Sequence, residues 1–199
     1  MRLSEAFHSR FQFEVPRGYQ LLAGDAAAVK WPVLPDFHWL TGAEVAAFEF
    51  EEHQWPDFVP FARNGQGDLW CWCPGQAEGG RVPAGFCPIN CEEGEVYASD
   101  FTGALLRLIC DAAQHLSGEA GTVSAARALL RSAAEVSLPL WPAEWRAWFN
   151  RMAESPLTQW RTAAGAVRGI PSREEYERVL KEWIDCGDVG DVFRWMDGV

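Results

Sequence analysis

Basic residues are scarce in this sequence. Its 199 residues hold 17 Lys and Arg against 28 Asp and Glu, a formal net charge of −11. Such a chain repels phosphate backbones, so nucleic acid is not an expected partner. Long apolar runs are missing too. None approaches the roughly 20 residues of a membrane span, and no membrane partner is expected. The opening residues, Met1-Arg2-Leu3-Ser4-Glu5-Ala6-Phe7-His8, lack the unbroken apolar core of a signal peptide. They point to the cytoplasm. Catalytic signatures are absent as well: there is no Gly-x-Ser-x-Gly, no phosphate loop and no His-Glu-x-x-His. His8, His38, His53 and His115 are scattered, and Cys110 and His115 lie off a shared helical face. The expectation is a protein that is not an enzyme and takes no cofactor. A hydrolase would need convergent carboxylates or a Cys–His contact that only the fold can assemble.

What the chain has is apolar and aromatic bulk, 48% and 13% of its residues, enough for a folded globule. The negative charge is lopsided. Residues 1–120 carry 7 basic and 17 acidic side chains, and residues 121–199 carry 10 and 11. A basic protein partner would be attracted and steered by the first part. Solubility alone is the plainer account of the same charge.

From Phe58 to Ala98 the signals are β. Strands are expected near 58–62, 68–73, 81–88 and 94–98, joined by short turns into an antiparallel meander. Thr41-Gly42-Ala43-Glu44 is a capping box that opens a short helix, though Phe48 and Phe50 also alternate as in a strand. Leu105, Leu106, Leu108, Ile109 and Ala112 mark a helix over about 101–116. Pro32 and Pro35 favour extended chain, and Gly118 to Thr122 is a break. Beyond it the pattern predicts helices to the end, with Pro142 in a first turn, a stripe of Trp141, Trp145 and Trp148, and a second capping box at Ser172 to Glu175. Gly187 and Gly190 interrupt the last of them. At helical spacing the tryptophan stripe reads first as core, and second as an interface anchor.

The segment Pro60-Phe61-Ala62-Arg63-Asn64-Gly65-Gln66-Gly67-Asp68, with aromatic and apolar residues after it, carries the most specific motif. Asn64 and Gly65 tolerate positive φ, as does Gly67, and Asp68 is placed to bond to turn amides. This turn resembles the central motif of the SUKH superfamily, the Smi/Knr-like proteins. Val15-Pro16-x-x-Tyr19 is similar to the family's early Leu-Pro-x-x-Tyr step, but the glycine-rich segment that many members carry after it is missing. The resemblance spans roughly residues 15–115. It implies an α+β domain with a bent antiparallel sheet packed by helices, and a binding role without shared catalytic residues. Many bacterial members resemble immunity proteins that neutralise a toxin, and others regulatory scaffolds.

The expected organisation is therefore a SUKH-like domain over 1–117 and an α-helical extension over 118–199 packed on it. The expected partner is a cognate toxin protein. Candidate contacts are Glu49, Glu51, Glu52 and Asp57, with Glu92 and Glu93; a solvated face is the alternative. Asn64, Gly65, Gly67 and Asp68 read as a structural turn. A second reading makes the protein a zinc-stabilised structural or regulatory scaffold. Cys71, Cys73, Cys87 and Cys91 would supply four thiolates, but their spacings of one and three residues are not the usual two. Cys71 and Cys73 also fall on one face of a strand, as reduced core thiols do.

Overall fold

The computed structural model describes residues 3–23, 37–52, 54–114, 123–135, 137–156, 158–162, 165–170, 172–184 and 192–196. The Pro32–Pro35 segment, the Gly118–Thr122 break, His53, His115, Cys186 and the Gly187–Gly190 stretch lie outside them. Two helices, α1 (Leu3–Phe11) and α2 (Arg17–Ala23), lead to strand β1 (His38–Trp39) and helix α3 (Gly42–Ala46). The meander follows as β2 (Val59–Arg63), β3 (Leu69–Trp72), β4 (Ala84–Cys87) and β5 (Glu93–Ala98), and helix α4 (Phe101–Gln114) closes it. The capping box at the start of α3 forms as its residue types dictate: Thr41 Oγ1 accepts from the Glu44 amide and Glu44 Oε2 from the Thr41 amide. Phe48 and Phe50 belong to no strand. Asp100 caps α4, accepting from the Gly103 amide at 2.8 Å.

The fold is α+β. Six antiparallel strands lie in the order β1-β2-β3-β4-β5-β8, where β8 is Val192–Arg194. The two-residue alternation of β3 sends its side chains to opposite faces, and both faces are buried. Trp70 and Trp72 point into the main core with Val59, Phe61 and Tyr97, under α1, α2 and α4. Leu69, Cys71 and Cys73 join Cys87, Phe58, Trp195 and Met196 in a smaller cluster on the other face. Trp72 is the aromatic hub of the main core, with ring centroids 4.7 Å from Phe61, 5.0 Å from Tyr19 and 5.5 Å from Phe7. The buried Tyr19 hydroxyl donates to the carbonyls of Leu40 (3.0 Å) and Phe61 (2.9 Å), which pins α2 to the sheet.

The C-terminal part corrects one expectation. It is not helical throughout. Helices α5 (Val123–Glu135), α6 (Ala143–Glu154) and α7 (Arg173–Val179) are present, and a π-helical turn, Leu180–Ile184, continues α7. Between α6 and α7, however, stands an antiparallel hairpin of β6 (Thr158–Thr162) and β7 (Gly165–Gly169), and β8 completes the large sheet. The tryptophan stripe is core: Trp145 and Trp148 on α6, and Trp141 just before it, are buried. Trp145 stacks on Trp183 at 5.9 Å. Ser172 caps α7 through the Glu175 amide, but the second capping box does not close, because the Glu175 carboxylate serves Trp148 and Arg178 instead. This part is tied to the rest through α4. The Ile170 amide donates to the Ala113 carbonyl (3.1 Å), and the Ser99 amide and hydroxyl donate to the Ile184 carbonyl (3.2 and 3.1 Å).

Candidate interaction surface

The segment Val192–Met196 organises the surface on which the acidic candidates lie. Its first three residues pair with β5 in the register Glu93↔Arg194, Gly94↔Phe193, Glu95↔Val192. Phe193 lies over a slot that two glycines leave open. A Cβ built on Gly85 would fall 2.5 Å from Phe193 Cζ, and one on Gly94 2.8 Å from the same ring. Glycine inside a strand here permits close approach of a neighbouring ring. The ring also stacks on Phe58, centroids 5.1 Å apart and planes 25° apart. The next two residues, Trp195 and Met196, are buried. Trp195 Nε1 donates to the Cys91 carbonyl at 2.7 Å.

Both acidic groups border this segment. On one side Gln54 bridges to Met196, the Trp55 amide donates to the Trp195 carbonyl (2.9 Å), and the Glu51 amide donates to Gln54 Oε1 (3.1 Å). That holds the stretch of Glu49, Glu51, Glu52 and Asp57 against the C-terminal segment, with all four side chains exposed. On the other side the Trp195 amide donates to the Glu92 carbonyl (3.0 Å). Glu92 and Glu93 are exposed as well. Glu92 is not free charge, however: its carboxylate meets Arg194 at 3.0 Å. Val192, 57% exposed, adds apolar surface at the outer edge of the sheet, where it pairs with Glu95. Sequence reasoning named the two acidic groups and missed the segment Val192–Met196 that borders both, through Trp195, Met196 and the Glu92–Arg194 pair. The detectable signal was Gly85 and Gly94 inside two strands.

In the motif turn the expected roles of Asn64 and Asp68 are exchanged. Asn64 Oδ1, not Asp68, accepts the turn amides, those of Gln66 and Asp68, each at 3.0 Å. Asp68 reaches outward: Oδ1 accepts from the Ile89 amide (3.0 Å) and Oδ2 from Asn64 Nδ2 (2.8 Å). The positive φ falls on Gly67, at 98°, where a Cβ would also strike Ile89 Cδ1 at 2.8 Å. Gly65 sits exposed at the tip.

The four candidate zinc ligands do not converge. Cys71, Cys73 and Cys87 are buried in the smaller cluster, whereas Cys91 is exposed. Among the described residues no group of three or more His, Cys, Asp or Glu is placed to hold a metal ion. Burial pushes the Cys71 and Cys73 thiols up, with the neighbouring Cys87 adding to the effect. They are therefore protonated and inert in the folded protein. Iodoacetamide at neutral pH is expected to modify Cys91 at least about 100-fold faster than Cys71, Cys73 or Cys87. Peptide mapping checks this, and equal labelling of all four would contradict the burial.

Among the described residues no helix is long and apolar enough to cross a membrane. No family model, curated protein or solved structure matches this chain.

Proposed function

We propose that this chain is a cytoplasmic binding protein of the SUKH immunity type, which neutralises a cognate toxin by covering a basic surface of it. The observation that carries the reading is the pairing of two exposed acidic segments, about residues 49–57 and 92–93, along one C-terminal strand. The motif turn and the meander ending in a helix are in keeping with the family resemblance. Inhibition on this reading is masking: acidic side chains steer the encounter, and Val192 with the sheet edge supplies apolar contact. A nuclease toxin would meet carboxylates where it expects phosphates.

The test uses the toxin domain encoded beside this gene in its native host. Co-expression should rescue cells from that toxin, and the purified pair should associate more slowly as salt rises past about 0.1 M, where the screening length falls to about 10 Å. The quadruple variant E49K/E51K/E52K/D57K should lower the association rate by about tenfold or more at low salt. Neither rescue nor binding at low salt, or equal rates for variant and parent, would overturn the proposal.

A further inference from the structure

A groove of about 480 Å³ lies among the end of α6, the chain entering β6 and the start of α7. Its volume is that of a small-molecule site. Trp148, Met152 and Pro156 supply its apolar lining. Trp148 is locked: its indole N–H donates to Glu175 Oε1 at 2.5 Å and its ring meets Trp183 edge-on at 5.5 Å.

The charges around the groove are satisfied with one exception. Glu175 takes two hydrogen bonds from Arg178, at 2.8 and 3.1 Å, besides that from Trp148. Its negative charge is met there. The carbonyls of Glu154, the last residue of α6, and of Ser155, which follows it, both accept from Arg127 at 2.8 Å. The negative end of the helix is thereby covered. The exception is Arg151. Its charge acts on the Glu175 carboxylate, but its guanidinium donates no hydrogen bond to a described residue; it is exposed in the last turn of α6 and lines the groove. Ser172, also in the lining, accepts from the Glu175 amide through its hydroxyl oxygen at 3.3 Å, so its hydroxyl hydrogen remains to donate.

We propose that this groove binds a carboxylate carried on an apolar body, the carboxylate meeting Arg151 and Ser172 and the body resting on Trp148, Met152 and Pro156. A planar guanidinium matches a carboxylate bidentately. One guanidinium balances one negative charge. A dianionic phosphate would leave a surplus charge beside Glu175, on a chain already at −11. The ligand is a small organic acid or the C-terminal carboxylate of a peptide, which present the same chemistry. The site is independent of the toxin-binding reading, since none of its residues belongs to the acidic segments.

The test is a ¹⁵N NMR titration of the full chain with millimolar phenylacetate, and with phenylacetamide, phenyl phosphate and a tetrapeptide ending in phenylalanine as a free acid or an amide. Phenylacetate should move the Trp148 indole signal and the amides of 151–155 and 172–175 saturably. Phenylacetamide should leave them in place, and R151Q should weaken binding by about tenfold or more. Tighter binding of the free-acid peptide than of phenylacetate assigns the groove to a chain terminus; the reverse order assigns it to small acids. R151Q alters an exposed side chain, and an unchanged urea midpoint confirms that it still folds. No shift with either acid, an equal response to phenylacetamide or in R151Q, or tighter binding of phenyl phosphate would overturn the proposal.

Discussion

Asp111→Ala is expected to cost the fold about 3–5 kcal/mol, the largest loss from any single polar side chain here. Asp111 lies on α4 and accepts from two tyrosine hydroxyls: Tyr97 of β5, at 2.5 Å, and Tyr176 of α7. One carboxylate thus joins the sheet, the central helix and the C-terminal helices. Arg107, one turn earlier, stands over the Tyr97 ring with Cζ 4.1 Å from the centroid, and pairs with Glu95 at 2.8 Å. Hydrogen bonds to a charged acceptor are worth about 1.5–3 kcal/mol each, and removing the acceptor leaves two hydroxyls stranded. Tyr176 is half-buried and regains some solvation, so the sum falls short of twice the upper value. Tyr97→Phe and Tyr176→Phe each remove one bond and keep the acceptor satisfied by the other. About 1–2 kcal/mol apiece is expected. Urea unfolding measures all three, and a loss below about 1 kcal/mol for Asp111→Ala would refute the account.

The same network sets an alkaline limit. Burial first, and the Asp111 charge second, push the Tyr97 and Tyr176 hydroxyls above their ordinary value of about 10. The folded state therefore favours the neutral phenols more than the unfolded chain does. Their contribution is complete below about pH 10 and is lost as pH rises from there through the raised folded values. At pH 11 the parent should lose stability that Tyr97→Phe retains.

Much of the N-terminal architecture was legible because its signals are local. The capping box at Thr41 and Glu44 names both of its partners within one turn of chain. The meander from Val59 to Ala98 follows from alternation between turn residues, and the wide apolar stripe of α4 from its leucines. What escaped lay in partners distant in sequence. Val192-Phe193-Arg194 is three residues long and its strand partner is Glu93–Glu95, about a hundred residues earlier, so nothing beside it marks a strand. Thr158–Thr162 and Gly165–Gly169 carry arginine and glycine where an apolar alternation would announce a hairpin. At Ser172 the cap was legible, but the competition for Glu175 by Trp148 and Arg178 was not. The acidic residues of the candidate surface were legible one segment at a time. Their common border was not, because hydrogen bonds from Trp195 and the Glu92–Arg194 pair create it.

Gly85→Val should expel Phe193 from its slot and detach the C-terminal strand, at about 2–4 kcal/mol. The three atoms nearest a Cβ at position 85 all belong to side chains: two Phe193 ring carbons at 2.5 and 2.8 Å and Cys73 Sγ at 3.1 Å. Gly94 is a poorer probe, since a Cβ there also strikes the Phe86 carbonyl oxygen at 2.8 Å and would disturb the sheet itself. With the ring displaced, the Phe58 stack and the three paired residues of β8 lose their anchor, and the covering of Cys71, Cys73 and Cys87 by Trp195 and Met196 loosens. Amide exchange at Phe193 and Trp195 should accelerate, and the three buried thiols should become reactive while α4 stays protected. Phe193→Ala separates steric expulsion from any intrinsic dislike of valine at position 85. It should itself cost about 1.5–3 kcal/mol, because the ring is half-buried. In that background Gly85→Val should add less than about 1 kcal/mol, the offending ring being gone. If the two losses simply add, Phe193 is not what Gly85 makes room for. If they do not, the acidic segments owe their shared border to a strand held by one ring in a glycine slot, and, on the proposed reading of this surface, Gly85→Val should weaken binding of the toxin without changing a single charge.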